Sequence, residues 1–100
     1  MKILILNGSP RKNSNTRALL EQIAAGAQGH QVQLVDVAGL QVGGCRGCDA
    51  CRKNGGSCVQ RDDFAALLEQ MRAADCILFG TPVYFWGISA QLKLCIDRLY

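Results

Sequence analysis

The order strand–helix–strand–helix–strand–helix predicts an open parallel α/β sheet. Three observations give that order. Short apolar runs at residues 2–7, 31–37 and 76–79 read as buried strands. Segments after Ser14, after Asp62 or Asp63, and after Ser89 repeat their apolar residues at helical spacing. The two most unusual loops, 7–16 and 80–88, both follow strands, so both lie on the carboxyl edge where such sheets bind ligands.

The first strand, Lys2-Ile3-Leu4-Ile5-Leu6, is apolar on both faces and runs into Asn7-Gly8-Ser9-Pro10. The first helix starts at Ser14, carries Leu19, Leu20, Ile23, Ala24 and Ala27 on one side, and stops at Gly26 and Gly29. Residues 31–37 make the second strand. Residues 38–61 show no sustained period and read as a Gly- and Cys-rich loop. Either Asp62 or Asp63 can cap the next helix, whose buried face is Phe64, Leu67, Leu68 and Met71. Cys76-Ile77-Leu78-Phe79 is the third strand, closed by Gly80-Thr81-Pro82. Ser89 can cap the last helix, with Leu92, Cys95, Ile96 and Leu99 on one face. Cys76 and Cys95 read as small core residues. His30 reads as a surface or capping residue, and Lys93, Asp97 and Arg98 as helix-surface or inter-subunit contacts without chemistry.

One hundred residues suit one domain, spanning 1–100. No apolar run approaches the roughly 20 residues that span a bilayer, and the first strand is too short for a secretory signal core. The expectation is a cytoplasmic protein. The net charge of +3 is mild, and the basic residues Arg11, Lys12 and Arg17, and Arg46, Arg52, Lys53 and Arg61, lack the interleaved aromatics of a nucleic-acid surface. They fit a phosphate and a bound anion better. Three strands leave an open edge and thinly covered faces, which invite pairing with another chain.

Gly8-Ser9-Pro10-Arg11-Lys12-Asn13-Ser14-Asn15-Thr16 joins a strand to a helix start, where unpaired N–H groups and the positive dipole end favour an anion. Ser9, Ser14, Asn15 and Thr16 add short donors, and Arg11 adds a permanent charge. No Gly-Lys-Ser/Thr closes the loop and no Gly-x-Gly-x-x-Gly is present, which excludes the nucleoside-triphosphate and dinucleotide forms. A hydrophilic turn with a good N-cap would look the same.

Pro82-Val83-Tyr84-Phe85-Trp86-Gly87 places three adjacent aromatics after a strand. They can flank a planar ring system while backbone N–H groups meet its edge, or they can pack into the core. A phosphate site beside a planar-ring site describes FMN.

The sharpest motif is Cys45-x2-Cys48-x2-Cys51-x6-Cys58, four of the six cysteines, within a loop spanning 43–60. Thiolates three apart in a Gly-rich loop can converge on one inorganic cluster. Gly43, Gly44, Gly47, Gly55 and Gly56 let the backbone wrap closely, and Arg46, Arg52 and Lys53 favour thiolates. Zinc more often uses two separated Cys-x2-Cys pairs; zinc or unliganded thiols are the alternatives.

The phosphate loop, the run Gly80 to Lys93 and the pair Asp97-Arg98 resemble the NADPH-dependent FMN reductase and iron–sulfur flavoprotein families over all 100 residues. The resemblance implies a flavodoxin-like doubly wound sheet, here about three strands in the order 2-1-3 with three helices, the N-terminal half of the family's fold. It implies that Ser9, Arg11, Ser14, Asn15 and Thr16 hold the FMN phosphate and that Pro82, Val83, Tyr84, Phe85 and Trp86 line the isoalloxazine. It also implies NAD(P)H as donor, a small-molecule or protein electron acceptor, and a [4Fe–4S] cluster on Cys45, Cys48, Cys51 and Cys58. The flavin carries the redox chemistry, so no protein residue is assigned as catalytic. A cluster-free NAD(P)H:FMN or quinone reductase is the second enzyme reading, and a non-catalytic zinc-binding subunit the third. Relatives normally continue through two further strands and helices; either this chain is an incomplete gene product, or two chains complement each other through the open edge, which would give a homo-oligomer with FMN near the interface.

Overall fold

The computed structural model describes Met1–Tyr100 throughout. Three parallel strands, β1 (Lys2–Asn7), β2 (Gln31–Asp36) and β3 (Cys76–Gly80), form one sheet in the order β2-β1-β3. β1 is paired along its length on both sides, from Lys2 against Gln31 to Asn7 against Asp36, and from Ile3 against Cys76 to Asn7 against Gly80. A central strand must bury both faces, and Leu4, Ile5 and Leu6 are each at most 3% exposed.

Alternation along β1 divides the core. Leu4 and Leu6 join Phe64, Leu67 and Met71 of α3 (Phe64–Ala73) and Leu92 and Cys95 of α4 (Ala90–Asp97) in one buried cluster. Ile5 lies outside that cluster, and α1 (Asn15–Gly26) packs against β1 and β3 through the buried Leu20. The helices therefore take opposite faces, and the strand order reverses between β1 and β3, which is the switch point of a doubly wound sheet.

The local chemistry sets the helix starts. Ser14 accepts from the Arg17 amide (3.0 Å) and Ser89 from the Leu92 amide (3.3 Å), so both act as N-caps. At α3 the two aspartates divide the work: Asp62 accepts from the Phe64 amide (3.1 Å), and Asp63 instead holds the Gln41 amide (2.7 Å).

Four sequence expectations need correction. The segment 38–61 is not all loop: a one-turn helix, α2 (Ala50–Lys53), adds a fourth helix, too short to carry a readable period. Val37 leaves the second strand and is buried in a 3₁₀ turn, Val37–Gly39. Cys76 is exposed, because β3 is an edge strand, whereas Cys95 is fully buried as expected. Leu19, Ile23 and Leu99 stand out toward solvent, since α1 alone covers its face of the sheet and Leu99 follows the end of α4. No helix is long and apolar enough to cross a membrane.

Candidate functional site

The two sheet-edge loops meet at the switch point. The Gly8 amide donates to the Gly80 carbonyl (2.7 Å), and the Ser89 hydroxyl donates to the Gly8 carbonyl (2.5 Å), joining the ends of β1, β3 and α4. This junction explains Gly8. A Cβ there would meet the Leu92 Cβ at 2.9 Å and the Gly80 carbonyl and Ser89 Oγ at 3.0 Å, closer than side chains can pack.

The first loop is held from below by polar side chains. Asn7 is buried, donates to the Asp36 carboxylate (2.9 Å) and accepts from the Ser9 amide (3.1 Å). Ser9 is also buried, and its Oγ accepts from the Arg11 amide (3.3 Å). Ser14 caps α1, leaving the N–H groups of Asn15 and Thr16 without partners inside the helix. Arg17, grouped in the sequence with Arg11 and Lys12, is already engaged: its guanidinium binds Asp36 at 2.5 and 2.7 Å and Glu21 at 2.9 Å. The Asp36 hydrogen bond is the chief cause of its raised pKa. Arg11 and Lys12 stay exposed on a cavity of about 520 Å³ shared with Ser9, Arg17 and Asp36. The result is a polar cavity with two exposed cations, Arg11 and Lys12, over a hydrogen-bonded floor.

The second loop is a tight turn. Tyr84 and Gly87 exchange both backbone hydrogen bonds (2.9 and 3.1 Å), and Phe85 and Trp86 between them take φ of 45° and 69°. Positive φ at both central positions is the geometry that Asn-Gly normally fills. For a bulky residue it costs about 1–2 kcal/mol. The turn holds these aromatics away from the core, with Phe85 96% and Trp86 93% exposed, and Val83 is exposed as well. Core packing, the alternative for the three aromatics, applies at most to Tyr84, which is partly covered. Thr81 anchors the base of the loop, accepting from the Ser89 amide (3.0 Å).

Cys45, Cys48, Cys51 and Cys58 all line one cavity of about 360 Å³. All four are free thiols, and no three His, Cys, Asp or Glu side chains stand close enough to hold a metal ion. Arg52, Arg72 and Arg98 line the same space, each paired with a carboxylate, Asp49, Glu69 and Asp62 respectively. Arg52 lies over the Tyr100 ring at 4.8 Å and reaches Asp49 at 3.6 Å.

Arg98 corrects another expectation. Lys93 and Asp97 do pair on the surface of α4, but the Arg98 side chain is only 2% exposed. It donates to both carboxylate oxygens of Asp62 (2.6 and 3.2 Å) and to the Gly43 carbonyl (2.9 Å), and sits over the Phe64 ring at 4.9 Å. Asp62 also accepts from the Gly43 amide (2.9 Å), and Gln60 donates to the Gly44 carbonyl (2.9 Å). The two ends of the cysteine loop are thereby clamped together. The Arg98 hydrogen bond leads the causes that lower the Asp62 carboxyl to about 2, against the opposing effect of its desolvation. Sequence reading missed Asn7, Asp36, Asp62 and Arg98 as site builders. Their only local signal was polar character next to a motif.

A family model described as NADPH-dependent FMN reductase matches residues 1–100. An iron–sulfur flavoprotein of Archaeoglobus fulgidus is 44% identical over 100 residues, covering 98% of this chain and 48% of the relative. An iron–sulfur flavoprotein of Methanocaldococcus jannaschii is 38% identical, with 98% and 51% covered. Among solved structures, an NAD(P)H:quinone oxidoreductase from Methanothermobacter marburgensis superimposes with a TM-score of 0.79 at 24% identity, over 99% of this chain and 52% of its own, and shows the shared fold. The chain spans about half the length of the curated relatives it matches.

Proposed function

The chain belongs to the NADPH-dependent FMN reductase family, and we propose that it forms the flavin-binding half of an iron–sulfur flavoprotein moving electrons from NAD(P)H to a small-molecule or protein acceptor. One observation carries the reading. The Gly8–Gly80 hydrogen bond ties the root of the polar Ser9–Thr16 loop to the root of a strained, solvent-facing aromatic turn at the switch point. A phosphate-bearing planar ring system is the ligand such a pair suits.

In this reading Ser9, Arg11, Ser14, Asn15 and Thr16 hold the FMN phosphate, and Pro82, Val83, Tyr84, Phe85 and Trp86 line the isoalloxazine. Bound FMN supplies hydride acceptance and stepwise electron release. The protein supplies binding and orientation. The Asn7–Asp36–Arg17 network fixes the loop so that the donors are set before the ligand arrives. The aromatic turn covers apolar ring surface that water would otherwise reach.

Cys45, Cys48, Cys51 and Cys58 match a [4Fe–4S] cluster by donor type and by lining one cavity, although no three of them stand within reach of a common metal ion in this structure. The relatives' iron–sulfur names support this. The cluster-free NAD(P)H:FMN or quinone reductase is the second reading, favoured by the spacing of the thiols, of which no three are gathered for a metal. We extend the proposal to a homo-oligomer, because Ile77 and Phe79 on the edge strand β3 are left exposed. A folded, FMN-loaded chain that sediments strictly as a monomer would contradict that extension.

The test is composition after anaerobic purification with FMN. Flavin absorbance with iron and acid-labile sulfide supports the leading reading, and flavin alone supports the second. Zinc without flavin would overturn both in favour of a metal-binding subunit.

A further inference from the structure

The polar cavity of about 520 Å³ beside the Ser9–Thr16 loop lies on the β2 side of that loop. Its wall comes from Arg11 and Lys12, from Arg17 in the first turn of α1, from Asp36 at the end of β2, and from Ala38 and Gly39 just beyond. No residue of the aromatic turn lines it, and neither do Ser14, Asn15 and Thr16 at the helix start. The loop therefore has two polar sides. The helix-start donors lie outside the cavity, and Lys12, on its wall, has no part in holding FMN.

Charge decides what the second side can take. Asp36 is an acceptor by type, but Arg17 donates to both its oxygens (2.5 and 2.7 Å) and Asn7 to one of them (2.9 Å). Arg17 is in turn offset by Asp36 and Glu21. Arg11 and Lys12 are exposed and take part in none of the chain's ion pairs. Arg11 is already given to the FMN phosphate, so Lys12 is the cation that distinguishes this side.

In dinucleotide-binding α/β sheets an acidic residue downstream of the first turn takes the 2′-hydroxyl of the adenosine ribose, and a nearby arginine accommodates a 2′-phosphate. Asp36 ends β2 here, but its oxygens are committed and it offers a hydroxyl little. The free cations beside it favour a phosphate. The loop has no Gly-x-Gly-x-x-Gly to seat a pyrophosphate, so the cavity suits only the phosphorylated ribose.

We propose that this cavity is a donor-specificity subsite. It takes the 2′-phosphate of NADPH, with Lys12 as its cation, while the Asp36–Arg17 pair withholds the ribose acceptor that NADH would use. The inference rests on the FMN reading and deepens it, because it chooses between the two nicotinamide donors.

Calorimetric titration of the FMN-saturated chain tests this, with 2′,5′-ADP and 5′-AMP as probes that differ only in the 2′-phosphate. Saturating FMN keeps its own phosphate site occupied. Wild type should bind 2′,5′-ADP about 10-fold tighter than 5′-AMP, with flavin fluorescence showing that FMN stays bound. The Lys12 side chain makes no hydrogen bond or ion pair within the fold, so Lys12→Gln should fold normally. It should lose most of the preference and keep its FMN affinity. Equal affinity of wild type for the two probes would overturn the subsite. Displacement of FMN by 2′,5′-ADP would overturn it too, by showing one anion site rather than two. So would a Lys12→Gln variant that loses FMN affinity along with the preference. A wild type that binds no FMN would instead remove the flavin reading, and this inference with it.

Discussion

The sheet-edge loops and the cysteine loop are fixed by different kinds of bond. Loops 8–16 and 81–88 hang on strand ends and on helix caps one to three residues away, with the Gly8–Gly80 hydrogen bond as their seam. The cysteine loop is closed by side chains: Asp62 and Arg98, 36 positions apart, grip Gly43 between them. The first arrangement resists change through backbone geometry, the second through one buried charge pair. The difference teaches where each region should fail.

The largest effect is expected at the charge pair. Asp62→Ala leaves Arg98 buried without its counter-charge and should cost about 3 kcal/mol, measured by urea unfolding. The same substitution should leave loop 8–16 intact, so FMN affinity should suffer less than stability. Loss of both together would merge the two regions into one unit.

Acid separates them next. The folded Asp62 carboxyl is lowered to about 2 from 3.8, so its stabilisation is fully present above pH 4 and is lost as pH falls from about 4 toward 2. The shift corresponds to about 2 kcal/mol. Wild type should therefore lose more stability between pH 6 and pH 3 than Asp62→Asn does. Parallel profiles would show that the pair contributes nothing to acid sensitivity.

At the seam, Gly8→Ala forces a Cβ against Leu92, Ser89 and the Gly80 carbonyl and should cost about 1–3 kcal/mol. Thermal melts read this directly, and an unchanged melting temperature would mean that the seam yields. The smallest effect has the opposite sign. Replacing Phe85 and Trp86 together by Asn and Gly gives the turn residues that its geometry prefers and should stabilise the chain by about 1 kcal/mol. FMN binding should weaken in the same variant. Lower stability would show that the two aromatics pack rather than present a surface.

The same contrast sets what was legible in the sequence. Ser14 and Ser89 as caps, the three strands and both edge loops are local patterns, readable from neighbours within a turn. Asp62 and Arg98 carried no such pattern: one looked like a helix cap and the other like helix surface, because their partnership depends on how α3 and α4 pack. Cys76 misled for a related reason. Its strand is apolar, but only the strand order shows that it lies on an edge. Arg17 beside Arg11 looked like a phosphate ligand until β2 brought Asp36 to it.

The measurement that most directly tests the paired edge loops as an FMN site is flavin fluorescence titration of the wild-type chain and of Arg11→Ala, each with FMN and with riboflavin. The account predicts that wild type prefers FMN by about 10-fold or more, the worth of charge-assisted bonds to the phosphate, and that Arg11→Ala narrows the preference. Equal affinity for FMN and riboflavin, or no binding of either, would contradict it.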